Sequence, residues 1–194
     1  MDMRKQLNQV SNRVLYLNLA VTQAGLALIG GIIYFFFLRQ DLPLKELYHF
    51  DELGFALLVG AGFAVCVVTL DVVLMKLLPE DYFDDGGVNE RLFRDVNVWQ
   101  IAIIALGVAV VEEFLFRGVL QNLIGLFWSS VIFALLHFRY LKKWLYSVLI
   151  IGISLGFGFM YEWTGSLWGM ILAHFLIDFI LGILIRYRLI SFEK

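Results

Sequence analysis

Two adjacent carboxylates and a guanidinium sit in one apolar stretch, Val111-Glu112-Glu113-Phe114-Leu115-Phe116-Arg117-Gly118. The ten residues before it, 101–110, are all apolar or glycine. A charge at the centre of a bilayer costs about 3 kcal/mol on insertion scales, so such groups must face protein or water. Carboxylates held that way can take a proton from water, bind a cation or relay protons. Two further polar pairs recur in apolar runs downstream. Phe133 and His137 are one helical turn apart, and so are His174 and Asp178. The chain has three histidines and two of them are here; His49 falls in a loop.

Those residues need helices to position them, and the composition says what surrounds the helices. The chain has 194 residues, is 61% hydrophobic and 16% charged, and contains 18 Phe. Its mean hydropathy is +0.82. A water-soluble domain of this size has no interior that could hide so much apolar surface. The expected fold class is all-α: a polytopic transmembrane helix bundle forming a single integral membrane domain over residues 1–194. A net charge of −2 suggests no nucleic-acid partner. Cys66 stands alone, so no internal disulfide is available, and it reads as a small core residue. Residues 1–13 are polar and basic without an apolar core and cleavage site, so no removable signal peptide is expected.

A span needs about 20 apolar residues. Six are expected: Val14–Leu38, Leu53–Leu78, Val98–Asn122, Phe127–Tyr140, Trp144–Tyr161 and Ser166–Arg186, the fourth and fifth being short. Pro43 and Pro79 lie between spans, where a helix stops. Asp84-Asp85-Gly86-Gly87 is a turn signal. After it, Val88, Leu92, Phe93 and Val96 share a face, giving either a short interfacial helix or an extension of the third span. With the N-terminus inside, the inner segments hold all of the 15 basic residues except Arg39, Lys45 and Arg117. By the positive-inside rule both termini are then cytoplasmic, in a multi-pass protein of the cell membrane. Trp99 and Trp144 fall at inner span ends, and Trp128, Trp163 and Trp168 at outer ones, as an interfacial aromatic belt requires. No repeat of 20–50 residues is present.

Spans three and four form a hairpin turning near Gly125. Glu112 and His137 each lie roughly 18–20 Å from that turn, at equal depth on neighbouring helices. His174 lies roughly 14 Å beyond the expected turn at Gly165, with Asp178 one turn deeper. Three helices therefore bring Glu112, His137, His174 and Asp178 to comparable depth. Glu113 and Arg117 form an i,i+4 pair, about 40° apart on the helix. The simplest assignment makes them an internal ion pair and leaves Glu112 facing the other helices as a candidate general base. Phe133 packs on the His137 ring, and Asp178 can hold the ring and tautomer of His174. Asp71 reads as a helix-end polar group near Lys76.

The series Glu112-Glu113-x-x-x-Arg117, Phe133-x-x-x-His137 and His174-x-x-x-Asp178 resembles the CAAX protease and bacteriocin-processing (CPBP, ABI) family. The likeness spans about 98–186 and includes the lead-in Gly165-Ser166-Leu167-Trp168. It implies a glutamate-type intramembrane endopeptidase acting on a membrane-associated protein or peptide. In that family a water is activated at the positions of Glu112 and His137. The oxyanion is stabilised at the positions of His174 and Asp178. Bacterial members have mixed roles, including peptide processing and bacteriocin immunity. The CAAX-processing members carry Asn at the position of Asp178. Asn can donate to an oxyanion and ionised Asp cannot, so Asp178 is either protonated or serves to orient His174.

Other readings stay open at this level. The same residues could be a polar network that fixes helix packing, a proton-coupled transporter, or a catalytically silent scaffold or immunity protein. No cofactor is favoured. Zinc is possible, because Glu112, His137, His174 and Asp178 are all potential ligands. His-Glu-x-x-His is absent, which sets aside the common zinc-protease helix. Ser166 lies about 12 Å from His174 along one helix, too far for a serine dyad.

Overall fold

The computed structural model describes residues 10–79, 82–83, 86–137 and 143–190. The expectations placed on Arg4, Lys5, Asp84, Asp85, Arg139, Tyr140, Lys142 and Lys194 lie outside the described residues. Among the described residues every regular element is a helix. Helix α1 runs Asn12–Ile33 and continues as a π turn, Tyr34–Leu38. A short α2, Leu44–Leu47, follows Pro43. Helix α3 is Leu53–Leu77, α4 is Val88–Phe93, and α5 is Val98–Glu113, which widens into a π segment at Phe114–Gln121. Helix α6 is Asn122–Leu136, α7 is Trp144–Thr164 and α8 is Trp168–Arg186.

Five of these helices are long and apolar enough to cross a membrane: Asn12–Leu38, Leu53–Leu77, Val98–Leu136, Trp144–Thr164 and Trp168–Arg186. The chain is therefore a multi-pass helical membrane protein. The difference from the expected six lies in the third and fourth spans. They form one helical run broken at Gly125, whose φ of 81° and ψ of 166° are not helical. Glycine alone adopts that backbone freely. The run folds back there, because the rings of Phe116 and Phe133 meet with centroids 4.9 Å apart. A continuous helix would separate them by about 25 Å. The expected hairpin is present. Its second arm, residues 126–136, is about 16 Å long and cannot cross a hydrocarbon core of about 30 Å by itself.

The bundle is organised around α8. Its most extensive interface is with α3, and the next is with α5. Small residues set the α3–α8 distance. A Cβ at Gly60 would lie 2.1 Å from the Gly169 carbonyl oxygen, and one at Gly169 would lie 2.6 Å from the Ala56 carbonyl oxygen. Close backbone contact of this kind drives association where lipid is as apolar as the helix surface. The start of α8 is also tied to α2 and its end. Leu167 N–H donates to Leu47 O (2.9 Å), Ser166 Oγ to His49 O (3.1 Å) and Trp168 Nε1 to Tyr48 O (3.2 Å). Burial pushes the Tyr48 phenol up to about 12. Residues 88–93 are a helix of their own. Leu92, Phe93 and Val96 pack with Ile101 and Ile185.

Cys66 is exposed, contrary to its expected place in the core. The buried stripe of α3 is Ala56, Gly60, Ala64 and Val67. Cys66 belongs to the opposite face, where lipid rather than protein can cover an apolar side chain. Asp71 is half-buried, and among the described residues it forms no ion pair with Lys76.

Candidate active site

The π segment shapes the site. Hydrogen bonding to the fifth residue widens the helix, a distortion frequent at functional sites. Within it Leu115, Phe116, Arg117, Gly118, Val119 and Gln121 are all buried. Arg117 is 1% exposed and Glu113 is fully buried. Arg117 Nε lies 3.3 Å from Glu113 Oε2, so the expected ion pair exists. Arg117 also donates through Nη2 to Ser154 Oγ (2.9 Å) and Ser154 O (3.1 Å) on α7. One turn further on each helix, Gln121 Nε2 donates to Gly158 O at 3.0 Å. The guanidinium lies over the rings of Phe133 and Phe157, at 4.8 and 5.1 Å. Desolvation of this cation is offset by a carboxylate, two oxygen acceptors and aromatic faces.

Glu113 does more than pair with Arg117. Its Oε1 lies 2.7 Å from His174 Nδ1 on α8. A carboxylate at that distance accepts the Nδ1 proton, which leaves Nε2 as the nitrogen for other partners. On that side Asp178 Oδ2 stands 3.6 Å from Nε2. The His174 ring is stacked on Phe157 at 5.5 Å. The imidazole is thus bracketed by two carboxylates and an aromatic face. The hydrogen bond that sets the His174 tautomer comes from Glu113, while Asp178 stands beside Nε2 without one.

His137 is fixed in a parallel way. Its ring stacks on Phe133 at 4.4 Å and 30°. Its Nδ1 lies 2.9 Å from the Phe133 carbonyl oxygen. A carbonyl can only accept, so Nδ1 carries the proton and Nε2 is an acceptor in the neutral ring. His137 is also the residue at which α6 ends. A helix ending inside the apolar layer needs protein or a water-lined cavity around its terminal carbonyls.

Glu112 is 7% exposed. Its Oε1 accepts a hydrogen bond from Gln23 Nε2 on α1 at 2.9 Å. Its Oε2 is buried and has no hydrogen-bond partner among the described residues. Asp178 lies within electrostatic reach of His174, Glu112, His137 and Glu113. The polar residues of all three sequence motifs therefore share one neighbourhood.

The residues do not form a metal cage. Among the described residues no three His, Cys, Asp or Glu side chains are arranged to hold one ion.

Four partners were missed from sequence: Gln23, Ser154, Phe157 and Gln121. Each polar one is an uncharged amide or hydroxyl in an apolar span, a signal it shares with neighbours such as Asn18, Thr22, Asn122 and Ser147. Phe157 carries none, being one of 18 phenylalanines.

Comparison with known proteins agrees with the resemblance seen in the motifs. Residues 94–180 match the family described as Type II CAAX prenyl endopeptidase Rce1-like. Over 168 residues, 87% of each chain, the sequence is 39% identical to "Uncharacterized protein YpbD" of Bacillus subtilis (strain 168). No solved structure matches. The matched residues include Glu112, Glu113, Arg117, His137 and His174 through Asp178, and exclude α1 and α3.

Proposed function

The chain belongs to the Rce1-like type II CAAX prenyl endopeptidase family (CPBP), and from that premise we propose that it is an intramembrane endopeptidase. Its substrate is a membrane-associated protein or peptide. Glu112 Oε2 takes a proton from a water that His137 Nε2 also holds. The resulting hydroxide attacks the scissile carbonyl carbon. The oxygen that becomes negative is met by His174, whose Nε2 donates when the ring is an imidazolium. Glu113 and Asp178, on either side, compensate that charge. Glu112 then returns its proton to the leaving amine, and a carboxylic acid and an amine result, the acid giving up its proton to the amine or to water. The positive-inside bias supports both termini in the cytoplasm, which requires the chain to return to the inner side between Gly125 and the start of α7.

One observation carries this reading. Each histidine has its Nδ1 committed to an acceptor of its own, the Phe133 carbonyl or the Glu113 carboxylate, while Glu112 keeps one oxygen unpartnered among the described residues. That leaves one carboxylate oxygen and one imidazole nitrogen as acceptors for a water. The test uses the purified chain in liposomes with membrane-anchored peptides, products being identified by mass and proton flux followed in parallel. Cleavage without flux supports the endopeptidase. Flux without cleavage would instead establish the proton-transport alternative, and neither would leave a silent scaffold.

A further inference from the structure

The helix that completes the Glu112 environment lies outside the family-matched residues. Gln23 is on α1 and reaches Glu112 across 89 positions of sequence. It lines an apolar groove of about 350 Å³ between α1 and α5, walled by Leu19, Ala20, Ile104 and Val108. In that wall its amide is the polar group that meets Glu112. The hydrogen bond has one direction: the Nε2 donates and the carboxylate accepts. The amide's own carbonyl, Oε1, is buried with no partner among the described residues.

The consequence falls on Glu112. With Oε1 occupied by the Gln23 donor, Oε2 is the oxygen left to accept a proton. The charges around this carboxylate come from its own helix, Glu113 and Arg117, and from α8, His174 and Asp178. His137 on α6 belongs to the same neighbourhood through Asp178. None of these groups is placed by a hydrogen bond to Glu112 Oε1, so the neutral amide of α1 is what fixes its orientation.

We infer that Gln23 is a positioning residue: it holds Glu112 by one oxygen and presents the other as the proton acceptor. The inference rests on the endopeptidase reading for its consequence but not for its contact.

The test compares Gln23→Leu and Gln23→Met, which remove the donor at similar size, with Leu19→Ala. The last loosens the same α1 surface without touching Glu112. Two readouts are needed. Infrared difference spectra against Glu112→Gln isolate the Glu112 carboxyl bands without any substrate. Steady-state cleavage gives kcat and KM. The expected result is a shifted Glu112 band in both Gln23 variants, a kcat lower by about tenfold to a hundredfold, and an unchanged KM. Leu19→Ala should keep the bands and kcat of the parent. Unshifted bands with parental kcat in a folded Gln23 variant, while Glu112→Gln is inert, would overturn the role of Gln23 and leave the endopeptidase standing. If the parent cleaves nothing, the endopeptidase reading fails and the bands alone decide whether Gln23 holds Glu112.

Discussion

Glu113 Oε1 and His174 Nδ1 are 2.7 Å apart, joining the first motif on α5 to the last on α8. The same carboxylate receives Arg117 from its own helix at 3.3 Å. Glu113 is therefore the joint between the structural cation and the imidazole at the site. Its two neighbours make opposite demands of a substitution. Arg117 needs a negative charge, whereas His174 Nδ1 needs only an acceptor.

Glu113→Gln should consequently lower both stability and turnover. Leaving Arg117 without its carboxylate in a dry site is expected to cost about 3–5 kcal/mol. The amide oxygen can still accept from His174, so activity per folded molecule falls but does not vanish. Thermal unfolding in detergent and specific activity of the folded fraction separate the two effects. An unchanged melting temperature would mean that Ser154 and the phenylalanine rings carry Arg117 by themselves.

The α3–α8 crossing makes a second prediction, independent of chemistry. Gly60→Leu places a branched side chain where even a Cβ would lie 2.1 Å from the Gly169 carbonyl oxygen. The helices must separate, and overpacking of this kind costs about 1–3 kcal/mol or more. The displacement moves His174, one turn and a half beyond Gly169 on α8. Folded yield and activity should both fall. Gly62→Leu, with open space at its Cβ, is the matched control and should be silent in both.

Asp178 distinguishes orienting a ring from donating to an oxyanion. Asp178→Asn keeps the shape beside His174 Nε2 and should retain measurable activity. The basic limb of its pH–rate profile should move to lower pH, because an imidazolium there loses one of its two flanking anions. Asp178→Leu should lose most activity. Parental profiles for both variants would reduce Asp178 to a packing residue.

Metal removal should leave cleavage intact. Under the proposed mechanism a water held between Glu112 and His137 needs no Lewis acid, and among the described residues no three ligating side chains are arranged to hold one ion. Activity after dialysis against a chelator is the measurement. Complete loss restored by one equivalent of zinc would replace the glutamate mechanism with a Lewis-acid one.

The helical bundle was legible from hydropathy, and the hairpin from the glycine between the third and fourth apolar runs. The number of crossings was not. A run of apolar residues looks alike whether it crosses the membrane or stops half-way, and what decides is the end of α6 at His137. Glu113–Arg117, Phe133–His137 and His174–Asp178 were readable because i,i+4 neighbours are fixed by helix geometry alone. Glu113–His174 and Gln23–Glu112 were not, since contacts between helices depend on rotation about each axis. The π segment after Glu113 changes that rotation without changing a single residue of the apolar pattern. Cys66 was misplaced for a related reason: a buried face and a lipid-facing one have the same composition in a membrane.

The central claim is that Glu112 is the proton acceptor, and one comparison tests it most directly. Parent and Glu112→Gln proteins, purified and reconstituted alike, are given the same membrane-anchored peptide, with cleavage followed by mass and folding by thermal unfolding. The amide keeps the size and the contact with α1 but cannot take a proton from water. The account predicts an intact fold and a rate at least about a hundredfold lower, the usual scale of losing a general base. A folded Glu112→Gln protein that cleaves at the parental rate would contradict it.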